Sequence, residues 1–527
     1  MSFQYDLTTD TCLESGMIRN SRLTMVQMKL PRSMSFSKMK PFWILATVFG
    51  LLFAVLFSIR LDLFDKILYT PSNVSLRSIN SPSERDSWKN IFQNNRKIGS
   101  SHTTLSKTKN GYLLKETLYM RINTMGLVQD ISLKTDGKLN SDFTLSSFDF
   151  EISSGRFRFA AQGVVSGDVL SIKTHSLGST RNIDIRIKEK LYVSAGILDA
   201  VNASGIEPGD EFVFQVFDPA TMGQEPVIVR VIDKEDILIM GDMKEATKVS
   251  LIFKGAIQQA WIGENGEVLK EKGLLGINLE KTTRDDALFG LPVESSQDLT
   301  KVASVPSNVL IDDARQLTGL EVEIWGINYD DVYLDGGRQT FNDNVLVINK
   351  ESLSDLPAVY DVNKKEYIER KFLKPTPFIQ SDHPKILNLA KKIVSIDDKP
   401  LEKANKLVAW IYKNIKKRPV LSLPDALATL EIGVGDCNEH AVLLAALARA
   451  AGIPVKVEAG LVYLNDRFYY HAWNLLYLGK WITADSLFGQ IPADVTHIRF
   501  SSGIQIQQLD IMSIIGKVRL KIVKRTK

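Results

Sequence analysis

The chain has 527 residues, which is too long for one ordinary globular core and predicts roughly two to four domains. Apolar residues make up 44% and charged residues 24%, the balance of an ordinary folded protein. The formal net charge of +4 is small and the basic residues are scattered, so the composition excludes no class except a strongly basic, nucleic-acid-binding protein.

An uncharged apolar run from Pro41 to Ile59 is just long enough for a helix to cross a hydrocarbon layer of about 30 Å. The charges after the run are balanced, whereas basic residues precede it: Arg19, Arg22, Lys29, Arg32, Lys38 and Lys40. The positive-inside rule then predicts a disordered cytoplasmic tail at 1–40, a transmembrane helix at 41–61 and an extracytoplasmic remainder.

A cleaved signal peptide is the alternative, but the run exceeds a usual signal core and no small-residue cleavage pattern follows it. We therefore predict a single-pass protein of the plasma (inner) membrane, with a cytoplasmic N-terminus and a periplasmic bulk. The two cysteines, Cys12 and Cys437, then lie on opposite sides of the membrane and cannot pair. The part beyond the membrane is predicted to have one free thiol and no disulfide scaffold.

Residues 86–282 predict an antiparallel β-sheet domain. Apolar residues alternate with polar ones in strand after strand, as at Ile183 and Ile185, which is typical of a sheet with one buried face. Turn dipeptides such as Asn110-Gly111 separate the strands and favour a meander. The domain is predicted to be either a scaffold or a binding module for a lipid or a glycan strand.

Changes of periodicity set the other predicted boundaries. The predicted fold class is α+β: a membrane-anchored multidomain chain in which antiparallel β-rich domains precede one α+β domain. In chain order the segments after the membrane are a polar stalk at 62–85, the β-sheet domain at 86–282, a linker at 283–307, a small β-rich domain at 308–374, the α+β domain at 375–505, and a C-terminal strand with a basic tail at 506–527.

Within the α+β domain, apolar residues recur at the spacing of α-helices. Two helices are predicted there, each with one apolar face and with a proline, Pro384 or Pro400, in its first turn. The stretch from Gly433 to His440 predicts a loop that ends in a helix, with Cys437 on its first turn. At this position the helix dipole is expected to lower the pKa of the thiol and to favour the thiolate. Three antiparallel strands are predicted after the helix, at 454–463, 468–477 and 481–485.

The register of the last two strands decides whether Asp485 can serve His471. A two-residue turn would place Asp485 opposite Asn474, on the face away from His471. A three-residue bend at 478–480 places it opposite Trp473, diagonal to His471 and within reach of the imidazole. We predict the three-residue bend.

A thiol, an imidazole and a carboxylate are the groups that acyl transfer through a cysteine requires. The thiolate attacks an acyl carbon, the imidazole holds the ion pair and then protonates the leaving amine, and the carboxylate fixes the imidazole. Backbone N–H groups at the start of the Cys437 helix are expected to meet the oxyanion, with Trp410 as a weaker candidate contributor.

Four motifs carry a resemblance to a known family. They are Gly435-Asp436-Cys437-Asn438-Glu439-His440-Ala441, Ala448-Arg449-Ala450-Ala451-Gly452-Ile453-Pro454, Tyr470-His471-Ala472-Trp473 and Trp481-Ile482-Thr483-Ala484-Asp485. Over about residues 375–500 they resemble the transglutaminase-like superfamily of cysteine enzymes. The resemblance implies a papain-like core with Cys437 as nucleophile, His471 as base and Asp485 as orienting acid. Ser486-Leu487-Phe488 follows the aspartate where many bacterial relatives show a proline.

Other residues compete for roles at this site. His440 lies one turn above Cys437 and is interpreted as a brace for the helix or a loop rather than as the base. His497 is placed near the site rim as a candidate for substrate contact. A metal site built from Cys437, His440 and His471 is not expected, since no second cysteine supports it. No nucleotide motif is present, so no cofactor is expected either.

Two functions remain open. The first is a membrane-anchored cysteine enzyme that acts on amide bonds of envelope protein or peptide, peptidoglycan stems included, through a thioester acyl-enzyme. The family contains crosslinking acyltransferases as well as peptidases and amidases, and we favour hydrolysis because water is abundant and no amine-binding site is evident. The second is a non-catalytic envelope assembly or carbohydrate-associated factor with a vestigial triad. The sequence leaves the oligomeric state open.

Overall fold

A computed structural model provides the structure of the chain. The described residues are 84–155, 157–176, 179–219, 222–290, 297–354, 356, 370–421, 423–504 and 508–527. All described residues belong to one compact unit of the chain.

The predicted membrane anchor is not supported by the structure. The predicted tail and transmembrane helix, residues 1–61, lie outside the described residues, as does nearly all of the predicted stalk. Among the residues that are described, no helix has both the length and the apolar character needed to cross a bilayer. The predicted localisation in the inner membrane and periplasm is therefore wrong. The membrane is likewise not supported as a partner.

In the described part of the chain, fifteen strands form one continuous sheet. They are β1 (Arg85–Gln93), β2 (Arg96–Thr108), β3 (Gly111–Thr124), β4 (Leu127–Asn140), β5 (Leu145–Ser154), β6 (Phe157–Ser166), β7 (Val169–Ser176), β8 (Ser179–Arg186), β9 (Leu191–Val193), β10 (Glu211–Asp218), β11 (Gly223–Ile239), β12 (Asp242–Phe253), β13 (Ala256–Gly263), β14 (Val268–Lys272) and β15 (Ile277–Thr282).

The remaining helices and strands of the described residues follow or interrupt this sheet. The other strands are β16 (Val305–Pro306), β17 (Gly319–Trp325), β18 (Gln339–Asn342), β19 (Val345–Asn349), β20 (Lys416–Lys417), β21 (Val434–Gly435), β22 (Val455–Leu464), β23 (Arg467–Tyr477), β24 (Trp481–Ala484), β25 (Ile498–Gly503) and β26 (Arg519–Thr526). The α-helices are α1 (Ile197–Ala203), α2 (Arg284–Leu288), α3 (Leu299–Ala303), α4 (Pro384–Ile393), α5 (Pro400–Asn414), α6 (Ala426–Ile432) and α7 (Cys437–Ala450).

The large sheet consists of two meanders that meet where β1 pairs with β15. Neighbouring strands of this described sheet are antiparallel except β9 and β10. The two ends of the sheet share one core, since the ring of Phe148 in β5 lies 5.2 Å from that of Phe217 in β10 and Val201 of α1 joins the same cluster. The antiparallel meander predicted from the two-residue periodicity is confirmed.

The stretch predicted as a linker, 283–307, contains α2, α3 and β16 among its described residues. Asp298 caps α3 with its carboxylate. The same carboxylate accepts hydrogen bonds from the backbone N–H groups of Met125, at 3.0 Å, and Gly126, at 2.8 Å, in the β3–β4 turn. The tip of this hairpin is thereby tied to the chain that leads into the α+β region.

A second, four-stranded sheet has the order β18–β19–β17–β26. The predicted C-terminal strand, as β26, therefore pairs with a strand of the predicted small β-rich domain. Buried side chains of this sheet, such as Val322 and Leu520, share a cluster with Leu461 and Phe500 on β22 and β25. The segments predicted separately at 308–374 and 506–527 thus share one core with the sheet of the α+β region.

Helix α7 is the centre of the α+β region. Every residue from Glu439 to Arg449 is buried, so the predicted single apolar face understates how completely the helix is enclosed. The helices α4, α5 and α6 and the strands β22 and β23 pack against it. The chain after it folds into an antiparallel sheet in which β23 pairs with β22 on one edge and with β16 and β24 on the other.

Candidate active site

Cys437 is the first residue of α7, and a capping box fixes this end of the helix. The Asp436 carboxylate accepts a hydrogen bond from the backbone N–H of Asn438 at 3.0 Å, and the Glu439 carboxylate accepts one from the N–H of Asp436 at 3.0 Å. Gly435 leaves room for this arrangement, because a Cβ there would lie 2.3 Å from the Cβ of Glu439. The local sequence therefore holds the cysteine at a defined helix N-terminus.

The Cys437 thiol is half-buried and accepts a hydrogen bond from the backbone N–H of Ala472, the neighbour of His471 on β23. Burial raises the pKa of this thiol well above its usual range, and the Asp436 carboxylate acts in the same direction. The prediction that the helix dipole lowers the pKa of this thiol was therefore wrong. Cys437 is a neutral thiol at rest and needs a base to form the thiolate.

The predicted register of β23 and β24 is confirmed. Asn474 pairs with Ala484 and Tyr477 with Trp481, which leaves a three-residue bend at 478–480. Asp485 therefore continues β24 on the side of His471, and its Oδ2 lies 2.7 Å from Nε2 of the imidazole.

Asp485 is almost completely buried and accepts four hydrogen bonds. Its Oδ2 accepts from the imidazoles of His471, at 2.7 Å, and His497, at 3.0 Å. Its Oδ1 accepts from the backbone N–H groups of Leu487, at 2.7 Å, and Phe488, at 3.0 Å. Burial alone would raise the pKa of this carboxyl, but the two imidazoles outweigh it and hold the pKa well below its usual range. Asp485 is a carboxylate throughout the physiological pH range.

The orientation of His471 suits a base that serves Cys437. Since Asp485 only accepts hydrogen bonds, His471 carries a proton on Nε2. This leaves Nδ1 as the ring nitrogen that can exchange a proton with another group. His471 and Cys437 line the same cleft, and the thiol touches the backbone of the residue that follows His471.

His497 lies beneath the site and not at its rim, so the rim position considered for it from the sequence was wrong. The residue is fully buried, and its Nδ1 is 3.1 Å from the backbone oxygen of Asp494 and 3.3 Å from the Oδ1 of the same residue. Burial disfavours a charge on the ring, but Asp494 and Asp485 outweigh burial and raise the pKa of His497 to about 9. The sequence analysis did not predict that His497 contacts Asp485 and Asp494. The three-residue spacing of Asp494 and His497 was the one local signal that the two residues could pair.

The other sequence candidates lie away from the chemistry. His440 Nδ1 is 2.7 Å from the backbone oxygen of Asp436, and burial lowers the pKa of His440, so this residue braces the helix start as predicted. Trp410 packs in the helical core, and the cleft lining does not include it.

One group of described residues, His471, Asp485 and His497, offers the ligand types of a metal site. Its N···O separations of 2.7 and 3.0 Å are hydrogen-bond lengths. Tetrahedral zinc with bonds of about 2.1 Å would hold its ligand atoms about 3.4 Å apart. The spacing fits a hydrogen-bonded network better than an ion.

A cleft of about 530 Å³ opens at Cys437 and His471. Three parts of the chain meet there: the β3–β4 turn of the large sheet, the segment 417–421 and the C-terminal segment around Ile511. The lining is largely apolar and includes Met125, Pro419, Leu421, Leu464 and Phe488. The large sheet therefore contributes a wall of the cleft, which the sequence did not indicate.

The region that carries the three residues matches a known family. Residues 387–486 form a transglutaminase-like superfamily domain. The transglutaminase-like domain contains Cys437, His471 and Asp485, and the resemblance inferred from the motifs is confirmed. It occupies a minority of the chain, and no curated protein matches the chain.

Some solved structures are similar at low identity. A candidate cysteine protease from Cytophaga hutchinsonii is 16% identical, with 40% of this chain and 83% of that chain covered and a TM-score of 0.26. The periplasmic domain of TgpA from Pseudomonas aeruginosa is 15% identical, with 35% and 87% covered and a TM-score of 0.23. A protein from Brucella abortus with a domain of unknown function is 9% identical, with 38% and 97% covered and a TM-score of 0.31.

Proposed function

We propose that this chain is a cysteine hydrolase of transglutaminase-like type that cleaves amide bonds in proteins or peptides through a thioester acyl-enzyme. The observation that carries the proposal is the 2.7 Å hydrogen bond from His471 to the buried Asp485, in the same cleft as Cys437. This bond fixes the imidazole with Nδ1 available, and the register of β23 and β24 enforces it.

The reaction begins with a neutral thiol. Nδ1 of His471 removes the proton from Sγ of Cys437 as the sulfur attacks the carbonyl carbon of the amide. The carbonyl oxygen becomes an oxyanion beside the backbone N–H of Cys437, at the start of α7, where the helix dipole stabilises negative charge.

Collapse of this intermediate breaks the C–N bond. His471 gives the proton to the departing amine, and the acyl group remains on Cys437 as a thioester. A water molecule then loses a proton to His471 and attacks the thioester, which releases the carboxylic acid and returns the thiol. Asp485 stays ionised throughout and stabilises the imidazolium that forms.

The cleft supports a peptide substrate with an apolar side chain near the scissile bond. Its lining is mostly apolar, and burial of such a side chain supplies binding free energy of about 1.5–3 kcal/mol. Hydrolysis is favoured over transfer to an amine because water reaches an open cleft without a dedicated binding site.

Trapping of the acyl-enzyme tests the proposal. The full chain with Cys12→Ala, which leaves Cys437 as the single cysteine, is mixed with a peptide library and quenched in acid. Intact mass spectrometry should reveal an acyl adduct that maps to Cys437 and that hydroxylamine removes. Cys12→Ala with Cys437→Ala is the matched control. Absence of an adduct and of any cleaved peptide across the library would refute the proposal.

A second candidate is a binding or assembly factor whose triad is vestigial. Two observations favour it: burial raises the pKa of the Cys437 thiol, and the large sheet encloses a separate cavity of about 340 Å³ beside Arg85, Lys89 and Glu116. If Cys437→Ala restores a deletion phenotype as well as the wild-type chain does, this candidate replaces the first.

A further inference from the structure

A second histidine stands behind the proposed triad. His497 is 0% exposed, and its ring lies 5.6 Å from the ring of His471, centroid to centroid. Both imidazoles point Nε2 at the same oxygen, Oδ2 of Asp485. A charge on His497 therefore interacts electrostatically with His471 over a short distance in a buried environment.

The hydrogen-bond partners of His497 define its protonation. Nε2 faces the carboxylate of Asp485, and Nδ1 faces the backbone oxygen and the carboxylate of Asp494. All these partners are acceptors, so both ring nitrogens must donate, and an imidazole that donates from both nitrogens is a cation. The raised pKa of His497, about 9, agrees with this assignment.

The partner Asp494 is itself held in place. Its Oδ1 accepts from the backbone N–H of Thr496 at 2.9 Å and from the Thr496 hydroxyl at 2.5 Å, and its Oδ2 accepts from the Gln490 amide at 3.0 Å. Burial would raise the pKa of Asp494, but His497 outweighs it and holds this pKa well below its usual range. Asp494 is thus a fixed anion that keeps the charge on His497.

Other groups complete the surroundings. The rings of Trp473 and Phe488 lie 5.1 and 6.0 Å from the His497 ring. The Arg338 guanidinium donates to the backbone oxygen of His497 at 3.0 Å and pairs with Glu351 at 3.2 Å. Among the described groups, the titratable or charged ones that face His497 are therefore Asp485, Asp494, His471 and the Arg338–Glu351 pair.

We propose that His497 is a positioning residue: held as a cation between Asp494 and Asp485, it offsets part of the Asp485 charge and so limits how tightly His471 holds a proton. This inference rests on the proposed function, in which His471 must accept a proton from Cys437 and then release it to the leaving amine. Without the second cation, a fully effective Asp485 would keep the proton on His471 and slow its release.

The test measures the proton on His471 directly and needs no catalytic activity. In the full chain with Cys437→Ala, which removes coupling to the thiol, histidines are isotope-labelled and titrated by NMR. The His471 signal is assigned by its loss in His471→Gln. Two further variants are compared in this background: His497→Gln, which removes the ring, and Asp494→Asn, which keeps the ring and removes the anion that holds its charge.

Both variants should move the titration midpoint of His471 upward, by about two pH units for a unit charge 5.6 Å away at an effective dielectric constant of about 20. A purely structural role would leave the midpoint in place. An unchanged or lowered midpoint in both variants would overturn the proposal, and so would a shift in His497→Gln alone, since geometry rather than charge would then be transmitted. Failure of the proposed function would instead appear as an absent acyl adduct in the trapping experiment, whatever the midpoint does.

Discussion

The guanidinium of Arg338 donates a hydrogen bond of 3.0 Å to the backbone oxygen of His497. It also donates to the backbone oxygens of Ala493, at 2.7 Å, and Asp494, at 3.1 Å. Arg338 immediately precedes β18. It therefore connects the four-stranded sheet to the loop that carries His497, whose ring contacts Asp485. This contact joins residues 159 positions apart in the chain.

Removal of the Arg338 side chain should lower stability more than removal of an exposed arginine. Arg338→Met leaves three carbonyl groups and the carboxylate of Glu351 without their buried donor, so we expect the free energy of unfolding to fall by about 3 kcal/mol. Urea denaturation measures this loss. Arg230→Met is the matched control, since Arg230 pairs with Glu211 at the surface and should cost less than about 1 kcal/mol. Equal losses in the two variants would contradict the role of Arg338.

The capping box should be sensitive to one methyl group. Gly435→Ala would place a Cβ 2.3 Å from the Cβ of Glu439, so the box must open, at a cost of about 1–3 kcal/mol. The reactivity of Cys437 should fall with it, because the helix start moves. Gly137→Ala is the control, since a Cβ there meets its nearest neighbours at 3.7 Å. Thermal unfolding and thiol alkylation of both variants test this, and the prediction fails if Gly435→Ala behaves like Gly137→Ala.

The charge on His497 should make stability depend on pH in the alkaline range. Its pKa is raised to about 9 from an ordinary value of 6.5, so its contribution is fully present below about pH 6.5 and is lost as the pH rises through 9. The wild-type chain should therefore lose up to about 3 kcal/mol more than His497→Gln between these pH values. Urea denaturation at pH 6, 7.5 and 9 measures the difference. Parallel curves for the two proteins would argue against a charged His497.

In the acid range, stability should depend on pH in the opposite direction. The pKa values of Asp485 and Asp494 are held below the usual range, so their contribution is present above about pH 4 and is lost as the pH falls further. Asp494→Asn should flatten the loss of stability below about pH 4. Unfolding followed by circular dichroism between pH 2 and pH 5 tests this, and an unchanged slope would contradict it.

The large sheet should affect substrate use. Met125 is 50% exposed on the β3–β4 turn and lines the cleft, so Met125→Glu should lower kcat/KM for apolar peptides about tenfold. Met243, 64% exposed at the start of β12, is outside the cleft lining. Met243→Glu should leave kcat/KM unchanged. A fluorogenic peptide assay compares the two variants. Equal effects of the two substitutions on kcat/KM would contradict a contribution of the large sheet to substrate binding.

The sequence predicted the parts of the site that depend on local pattern. The N-terminal position of Cys437 follows from Asp436 and Glu439, three residues apart, and the register of Asp485 follows from the length of one bend. These signals involve neighbouring residues, so periodicity and turn length reveal them.

What the sequence missed depends on contacts between distant segments. The support from Arg338, the pairing of β26 with β17 and the wall formed by the β3–β4 turn join segments from different parts of the chain. No local pattern encodes these contacts. The thiol pKa was predicted in the wrong direction for a related reason: the helix dipole is a local effect, whereas burial is set by everything packed around the site.

In the proposed mechanism His471, held by Asp485, activates the Cys437 thiol. This activation is measured by the rate constant for alkylation of Cys437 by iodoacetamide at pH 7.5, in the Cys12→Ala chain and in the same chain with His471→Ala. Removal of the imidazole should lower the rate constant at least about 100-fold, the usual contribution of a positioned base. Equal rate constants in the two proteins would contradict it.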